Sequence, residues 1–302
     1  MDIADSHKEN KKASYWDDLT GGTTSQYKEK VMEALIREHY SISGGKLLDV
    51  GCGTCETILK YSGIFGARSL TCLDYDPKVL EKMKLKLPGG GIIWKVADVF
   101  EIGGWAERFD LVFFMDMLHE IYSFYGRRGG DVQSAVDHTS GKEHVVTAVT
   151  NISRLVNRGG GIIITDDVLC PEDVPLRVLI RNRAAREAAE HFLSDYPSRR
   201  IAHSFQPDGV LSINSRDFCV LLTQYNKIKR KDMDRWNVER FEVHQYMTPG
   251  EYEDLFNRLG FYPHAIVGTP AAAMREWEED FTVLEGLPGL PQKRITLLAV
   301  RR

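Results

Sequence analysis

The sequence predicts an α/β fold in which helices cover both faces of a mostly parallel sheet. Two observations lead to this prediction. First, residues 46–55 read KLLDVGCGTC, an apolar strand that runs into an acidic residue and a glycine-rich turn. Second, strand-like and helix-like segments alternate through residues 41–170. Such alternation is typical of a parallel sheet, because each crossover helix returns the chain to the same edge.

The glycine-rich turn predicts a nucleotide-like ligand at the end of the first strand. Gly51 and Gly53 allow a tight turn and let a ligand approach the backbone with no Cβ in the way. The turn lacks the GxxxxGK[ST] pattern of a phosphate-binding loop, and Asp49 precedes it where a carboxylate would repel a pyrophosphate. An acid at this point suits a ligand that carries an amino group.

Acidic residues also follow the next strands along the chain. SLTCLDYDP ends the second strand at Asp74, GIIWKVADVF ends the third at Asp98, and RFDLVFFMDMLHEI carries Asp116 past the fourth. Right-handed crossovers place the carboxyl ends of these strands on one edge of the sheet. We therefore expect these three acids and Asp49 to converge on one rim, where ligands bind in open α/β sheets.

These elements resemble the class I S-adenosylmethionine-dependent methyltransferases. The resemblance lies in Asp-x-Gly-x-Gly, an acid after the second strand, Ala-Asp after the third, Phe-Asp-x-Val in the fourth and Gly-Gly before the fifth, GGGIIITDDV. It covers about residues 46–170 and a C-terminal part from Thr248. It implies a Rossmann-like seven-stranded, mostly parallel sheet and S-adenosyl-L-methionine as the cofactor. Cys55 stands at the family's third glycine position, where we expect it to narrow the space beside the methionine moiety slightly.

The resemblance also implies roles for individual residues. Asp74 is expected to accept both ribose hydroxyls, because Asp76, directly before Pro77, is better placed to cap the next helix. Asp98 and the Val99 amide are expected at the adenine. The implied cofactor-binding residues are Asp49, Gly51, Cys52, Gly53, Asp74, Tyr75, Asp98, Val99 and Asp116. For Tyr75 and Phe100 an apolar wall of the adenine site and a core position remain alternatives.

His119 is the candidate catalytic residue, because it lies just beyond the fourth strand, where an acceptor would meet the methyl group. An imidazole titrates near neutrality and can remove a proton; the alternative is a structural histidine bonded to Glu120 or to the backbone. Asp166 and Asp167 either bind substrate or cap the chain as it leaves the fifth strand. The candidate substrate-binding residues are Tyr122, His244 and Tyr246.

Pattern and composition divide the chain into four parts. Residues 1–40 are predicted to be a polar tail and an amphipathic lid helix, and 41–170 the cofactor-binding core. Residues 171–247 are predicted to be a helical substrate-cap insert, with helices over 175–196 and 215–228. Residues 248–302 complete the sheet and include a polar second lid at 269–292. The Gly- and Ser-containing segment 124–142 is predicted to be a mobile loop above the substrate end.

Composition limits the partners and the location. The net charge of −4 over 302 residues argues against a general nucleic-acid binder, and no apolar run has the length of a membrane span. The N-terminus lacks the apolar core of a signal peptide, so a cytoplasmic location is expected. Cys52 and Cys55 form a CxxC, but no second CxxC or Cys/His pair lies nearby in sequence, so we expect small fillers and no metal. The sequence makes no prediction of oligomeric state.

The favoured function is methyl transfer to a small-molecule acceptor. One alternative keeps the cofactor and makes the acceptor a protein or an RNA, which a basic open channel would support. Another is a dinucleotide-dependent oxidoreductase, for which the GxGxxG pattern would need a last glycine where Glu56 stands. A third is a non-catalytic protein that binds the cofactor only.

Overall fold

A seven-stranded sheet lies at the centre of the computed structural model, which describes residues 23–41, 44–87 and 91–302. Its strand order is β3-β2-β1-β4-β5-β11-β9, and β11 is antiparallel to both of its neighbours, β5 and β9. The strands are β1 (Lys46–Val50), β2 (Ser69–Asp74), β3 (Ile92–Val96), β4 (Phe109–Met115), β5 (Val156–Asp167), β9 (Phe261–Gly268) and β11 (Arg294–Arg301). The predicted seven-stranded, mostly parallel sheet is confirmed.

Helices cover both faces of this sheet, because successive residues of the central strand β4 point to opposite sides. Leu111 and Phe113 belong to a core cluster on one face, and Val112 and Phe114 to a cluster on the other. All four side chains are fully buried. The helices are α1 (Thr23–His39), α2 (Glu56–Phe65), α3 (Pro77–Lys86), α4 (Leu118–Tyr125), α5 (His138–Ser153), α6 (Arg183–Asp195), α7 (Ser215–Lys229), α8 (Met233–Glu239), α9 (Pro249–Arg258) and α10 (Ala271–Asp280).

Two of the predicted helix starts have the expected caps. The Asp76 carboxylate accepts the backbone N–H of Lys78 at the start of α3. Thr248 and Glu251 form a capping box at the start of α9, each side chain accepting the other residue's backbone N–H. The interpretation of Asp76 as a cap, which leaves Asp74 for another role, is confirmed.

The insert is not entirely helical, and the helix predicted over 175–196 begins only at Arg183. Pro175–Ile180 is a strand, β6, in which Leu176, Val178 and Ile180 are buried. This period of two is the pattern of a half-buried strand and outweighs the helical spacing of the leucines. β6 belongs to a four-stranded antiparallel sheet of order β10-β6-β8-β7, with β7 (His203–Phe205), β8 (Val210–Asn214) and β10 (Phe281–Glu285).

The same small sheet corrects the interpretation of residues 269–292 as a polar lid. This segment contains α10 and β10, and β10 pairs with β6. Trp277 and Phe281 are buried there, so the segment joins the insert through apolar packing. The helix predicted over 215–228 is confirmed as α7.

The segment predicted as a loop over 124–142 is shorter than expected, because α4 continues to Tyr125 and α5 begins at His138. Arg127 is buried and donates hydrogen bonds to Ser198 Oγ and to the backbone oxygens of Ser134 and Phe241. It therefore ties residues 126–137 to the insert. The mobility predicted for this loop remains a prediction.

At the N-terminus the predicted amphipathic helix is confirmed as α1, whose Met32 and Leu35 are buried against the sheet. The tail of residues 1–13 and the turn at Gly21 and Gly22 lie outside the described residues. In the described part of the chain, no helix has the length and apolar character needed to cross a membrane.

Candidate functional site

The glycine-rich turn after β1 has the backbone conformation that its glycines permit. Gly51 and Gly53 have φ values of 66° and 47°, in the left-handed region. Cys55 also has a positive φ, 59°, and is 1 % exposed. Its Sγ lies within 4.8 Å of the Sγ atoms of Cys52 and Cys72. The expectation that Cys55 narrows the ligand space is wrong, because its side chain points into the core.

A first cavity opens beside this turn, between the ends of β1 to β3 and α4. Asp74 lines it, is 7 % exposed, and accepts the Asp76 backbone N–H at 2.9 Å. Burial raises the pKa of the Asp74 carboxyl to about 6, and the nearby Glu120 adds to this rise. Tyr75, Asp98 and Val99 also line the cavity, as the sequence predicted.

Aromatic residues of α4 form much of the opposite wall. Tyr125 lines the first cavity and donates its hydroxyl hydrogen to Asp98 Oδ2 at 2.5 Å. The other Asp98 oxygen accepts the Phe100 backbone N–H. Phe100 itself packs on the Tyr125 ring at 4.8 Å between centroids and does not line the cavity. The sequence reasoning missed Phe124 and Tyr125, whose aromatic spacing past the fourth strand was the available signal.

A second cavity, called here the chamber, has a volume of about 500 Å³ and adjoins the first at Gly51 and Glu120. Its lining is strongly charged and comes from α1, the glycine-rich turn, the rim of the sheet, α7 and α8. Among the described residues, none of 126–142 lines it. The residues that the argument below uses are Asp49, Asp116, His119, Asp166, Lys227, Glu239, His244 and Arg294.

The acidic rim contains a deeply buried carboxyl group and a carboxyl group in ion pairs. Asp49 is 2 % exposed, and its burial, together with Cys55 and Asp74, raises the pKa of its carboxyl well above the usual range. Asp116 instead pairs with Lys28 of α1 at 2.5 Å and with Arg294 at the start of β11. Asp116 therefore links α1 to the sheet.

Arg294 also forms an ion pair with Asp167, at 2.9 Å between Nη1 and Oδ1. The guanidinium is 6 % exposed and is enclosed by the two carboxylates. Asp116, a predicted site residue, is thus paired with Arg294, which lies 178 residues later in the sequence. No local pattern around Arg294 signalled this contact.

His119 lies at the first turn of α4 and is held by Asp166 at the end of β5. Its ring Nδ1 is 2.8 Å from Asp166 Oδ1, and its backbone N–H donates to Asp166 Oδ2 at 3.0 Å. Burial lowers the pKa of His119, but the negative charges of Asp166, Glu242 and Glu120 outweigh the effect of burial and raise this pKa to about 9. The ring therefore directs Nε2 towards Glu242.

Two residues at the end of the insert, His244 and Glu242, meet His119, and Glu239 lies beside His244. His244 lines the chamber, and its ring centroid is 4.5 Å from that of His119. Glu242 Oε2 lies 3.8 Å from His119 Nε2 and 3.5 Å from His244 Nε2. Glu239 pairs with Lys227 and Arg235, and although burial opposes ionisation, Lys227 brings the Glu239 pKa well below its usual range. Of these, only His244 was predicted from the sequence.

Two predicted substrate residues are not brought to the chamber. Tyr122 and Tyr246 are each 1 % exposed, stack at 4.5 Å between ring centroids, and line neither cavity among the described residues. The Tyr246 hydroxyl contacts Asp166 Oδ2 at 3.5 Å and Tyr252 at 2.7 Å. Tyr246 supports Asp166 from behind, and Tyr122 packs on Tyr246. Because both tyrosines are aromatic and near the rim, sequence alone did not separate supporting from lining positions.

Residues 47–125, which span β1 to α4, match the family described as a methyltransferase domain. Residues 47–125 thus form a methyltransferase domain, and the sheet around them is that of the Rossmann-like class I fold. S-Adenosylmethionine is thus the cofactor of this methyltransferase, and the oxidoreductase and non-catalytic alternatives are set aside. A search of curated proteins finds no significant match.

Solved structures similar to this methyltransferase include three with low sequence identity. An S-adenosylmethionine-dependent methyltransferase from Mesorhizobium loti is 17 % identical, covers 89 % of this chain and 96 % of its own, and has a TM-score of 0.49. Magnesium protoporphyrin IX methyltransferase from Synechocystis is 12 % identical, with coverages of 93 % and 84 % and a TM-score of 0.46. An amino pentose methyltransferase from Micromonospora echinaspora is 14 % identical, with coverages of 96 % and 95 % and a TM-score of 0.46.

Proposed function

We propose that this methyltransferase acts on a small, polar acceptor that binds in the chamber. The observation that carries the proposal is the position of the chamber, which adjoins the first cavity at Gly51 and Glu120. α1 covers it from one side and α7 and α8 from another. A charged space of about 500 Å³ with these covers suits a small polar molecule better than a protein or RNA surface.

In this proposal the cofactor extends across both cavities. Asp74 accepts the ribose hydroxyls, since its carboxylate lines the first cavity and is not the helix cap. Tyr75, Asp98 and Val99 surround the adenine. The turn at Gly51, Cys52 and Gly53, together with Asp49, holds the amino acid moiety of the cofactor. The positive charge of the cofactor's ammonium group favours the ionised form of the buried Asp49 carboxyl group. Asp116 orders this end by holding Lys28 and Arg294.

The residues of the insert serve the acceptor. The cofactor supplies a methyl group on a sulfonium, which an acceptor lone pair displaces while the C–S bond electrons return to sulfur. The protein mainly has to orient the acceptor and exclude water. His119 is the residue we assign to the reacting atom of the acceptor, because Asp166 orients its Nε2 to the His244 side of the chamber. His244 binds the acceptor beside it, and Tyr122 and Tyr246 act only through Asp166.

A transfer assay with methyl-labelled S-adenosylmethionine tests this function. The label is offered together with a low-molecular-mass cell fraction, a protein fraction or an RNA fraction, each prepared from the same lysate. The proposal expects labelled product in the first fraction. A label that enters only protein or RNA contradicts a small-molecule acceptor. Calorimetric titration with S-adenosylmethionine, its demethylated product and NAD checks the cofactor independently, and only the first two are expected to bind.

A further inference from the structure

We infer that His119, Glu242 and His244 form a binding site for one divalent transition-metal ion in the chamber. The imidazole nitrogens and the carboxylate oxygen that these residues offer lie within 4.8 Å of one another. The two nitrogen-to-oxygen distances of 3.8 and 3.5 Å are longer than good hydrogen bonds. Two ligands bonded to a common ion at roughly 2.0–2.2 Å lie about 3–4 Å apart, so these distances suit a shared metal.

Asp166 gives His119 the environment of a metal ligand. A ligating histidine almost always donates its other ring N–H to a carboxylate, a carbonyl or water, which fixes the tautomer and the ring orientation. His119 meets this condition through the 2.8 Å contact of Nδ1 with Asp166 Oδ1. Tyr246 in turn contacts Asp166 Oδ2. Nε2 is consequently the free ligand atom, and it is the one that points to Glu242.

The second histidine provides an independent observation. His244 Nε2 is buried and makes no hydrogen bond with any residue in the described part of the chain. A buried polar nitrogen that makes no hydrogen bond destabilises the protein, although the Glu239 and Glu242 carboxylates lie 3.6 and 3.5 Å away. A metal ion held between His244 and Glu242 would bond to His244 Nε2. Glu239, the other carboxylate near His244, already pairs with Lys227 and Arg235. We assign Glu242 to the ion because its Oε2 lies 3.8 Å from His119 Nε2 and 3.5 Å from His244 Nε2, and so faces both imidazoles.

The ligand set restricts the metal and suggests its role. Two imidazoles and one carboxylate suit Mn²⁺, Fe²⁺, Co²⁺ or Zn²⁺, and three protein ligands leave coordination positions open. Because His119 and His244 line the chamber, those positions face the proposed acceptor. The inference thus rests on the proposed function and adds that the acceptor carries a group able to coordinate the ion. An ion held here would lower the pKa of a group that coordinates it, and His119 would then act on the reacting atom of the acceptor through the ion.

Cobalt titration of metal-free, tag-free protein tests the site. Co²⁺ is expected to bind with a stoichiometry of one and to produce a visible absorption band, and Zn²⁺ should displace it. Glu242→Gln and His244→Ala should abolish the band. Asp166→Asn should weaken Co²⁺ binding by about 10–100-fold, which is the usual effect of removing a carboxylate that supports a histidine ligand.

A matched control comes from the other close histidine pair. The ring of His264, on β9, stacks on that of His39 at 3.8 Å. His264→Ala should leave the cobalt band unchanged if the ion binds in the chamber. A band that disappears with His264→Ala and persists in Glu242→Gln would place the ion on β9 and overturn the inference, as would a wild-type protein that produces no band.

Titration of S-adenosylmethionine in the presence of a strong chelator separates the two proposals. Cofactor affinity should be unchanged by the chelator, whereas labelled transfer to the small-molecule fraction should fall and recover when Mn²⁺ or Zn²⁺ is restored. Transfer that continues undiminished in the chelator refutes the metal site alone. Transfer that is absent from the small-molecule fraction under every condition refutes the proposed acceptor class, whatever the cobalt result.

Discussion

Asp166 holds His119 with both carboxylate oxygens, one at the backbone N–H and one at the ring Nδ1. The two residues come from the end of β5 and the start of α4, so one carboxylate joins two elements of the rim. Asp166 is 1 % exposed, and Tyr246 contacts it from the core side. The imidazole is thereby oriented by the protein before any ligand binds.

Asp166→Asn should destabilise the protein. The substitution weakens two buried hydrogen bonds to a charged acceptor, for which we expect a loss of about 2–4 kcal/mol in the free energy of unfolding. Urea denaturation measures it. Asp131→Asn is the control, because Asp131 is exposed and its carboxylate accepts the neighbouring N–H of Gln133. Its effect should stay within about 0.5 kcal/mol. Equal effects of the two substitutions would show that Asp166 does not organise the rim.

Asp74→Asn should weaken S-adenosylmethionine binding by tenfold or more. The change removes one or two charge-assisted hydrogen bonds to the ribose, at about 1.5–3 kcal/mol each. Calorimetry measures the affinity. Asp76→Asn is a close control, since Asn also caps helices and Asp76 serves the start of α3. If Asp76→Asn weakened binding and Asp74→Asn did not, the ribose would be held by the other acid.

Asp74→Asn should also stabilise the ligand-free protein at high pH. The folded-state pKa of Asp74 is raised to about 6, above the roughly 3.9 of an unfolded chain. Stability from this group is therefore present below about pH 4 and is lost as the pH rises towards 6. The loss is on the order of 3 kcal/mol. We expect Asp74→Asn to exceed the parent in unfolding free energy at pH 8 and to match it near pH 4. A constant difference across this range would contradict the raised pKa.

Gly51→Val should abolish cofactor binding while the protein remains folded. A Cβ at Gly51 would lie 3.2 Å from the Met117 side chain, and the left-handed φ of 66° disfavours any branched residue. Met117 lines the first cavity, so its displacement would fill ligand space. Gly63→Ala in α2 has open space around the new Cβ and should leave binding intact. A Gly51→Val protein that unfolds would show a structural role of the turn, and one that binds would place the ligand elsewhere.

Cofactor and acceptor together should protect the α7–α8 turn from trypsin. Arg230, Asp232 and Arg235 line the chamber, so a bound acceptor would restrain this turn. Cleavage at Arg230 and Arg235 should slow on ligand addition, as judged by mass spectrometry of timed digests. Arg154 and Arg158, which line a separate surface depression, should be cut at unchanged rates. Identical rates at all sites would show that α7 and α8 do not cover an acceptor. Arg127 is an unsuitable probe because it is buried.

The sequence predicted best the parts of the molecule that depend on local chemistry. Gly51 and Gly53 predict a left-handed turn, and Asp76 before Pro77 predicts a helix cap. Both predictions depend only on residues that are neighbours in the sequence. The parallel arrangement followed from the βα alternation, and the number of strands followed from the resemblance. Pro175–Ile180 was mistaken for helix because leucines, valines and isoleucines at short spacing fit both periods, and the partner strand β10 lies far along the chain.

The chamber was predicted only in part. His119 and His244 were recognised as chemically capable residues, but their meeting with Glu242 depends on how the insert packs on α4. Lys227 lies in the basic run KIKRK at 227–231, a pattern typical of a solvated helix end, whereas its side chain is largely enclosed and paired with Glu239. Charged residues carry no periodic signal that distinguishes a surface position from a buried ion pair, so such contacts require the tertiary structure.

Arg294 has a consequence for the timing of folding during synthesis. Chains emerge from the ribosome N-terminus first, so β1 to β5 and their acids are exposed before β11 exists. Until residues 294–301 enter the sheet between β5 and β9, Asp116 and Asp167 lack the guanidinium that lies between them. Asp116 then has Lys28 as a partner but lacks Arg294, and one edge of β5 stays open. A nascent methyltransferase therefore acquires a competent rim late, after most of its sequence has already folded.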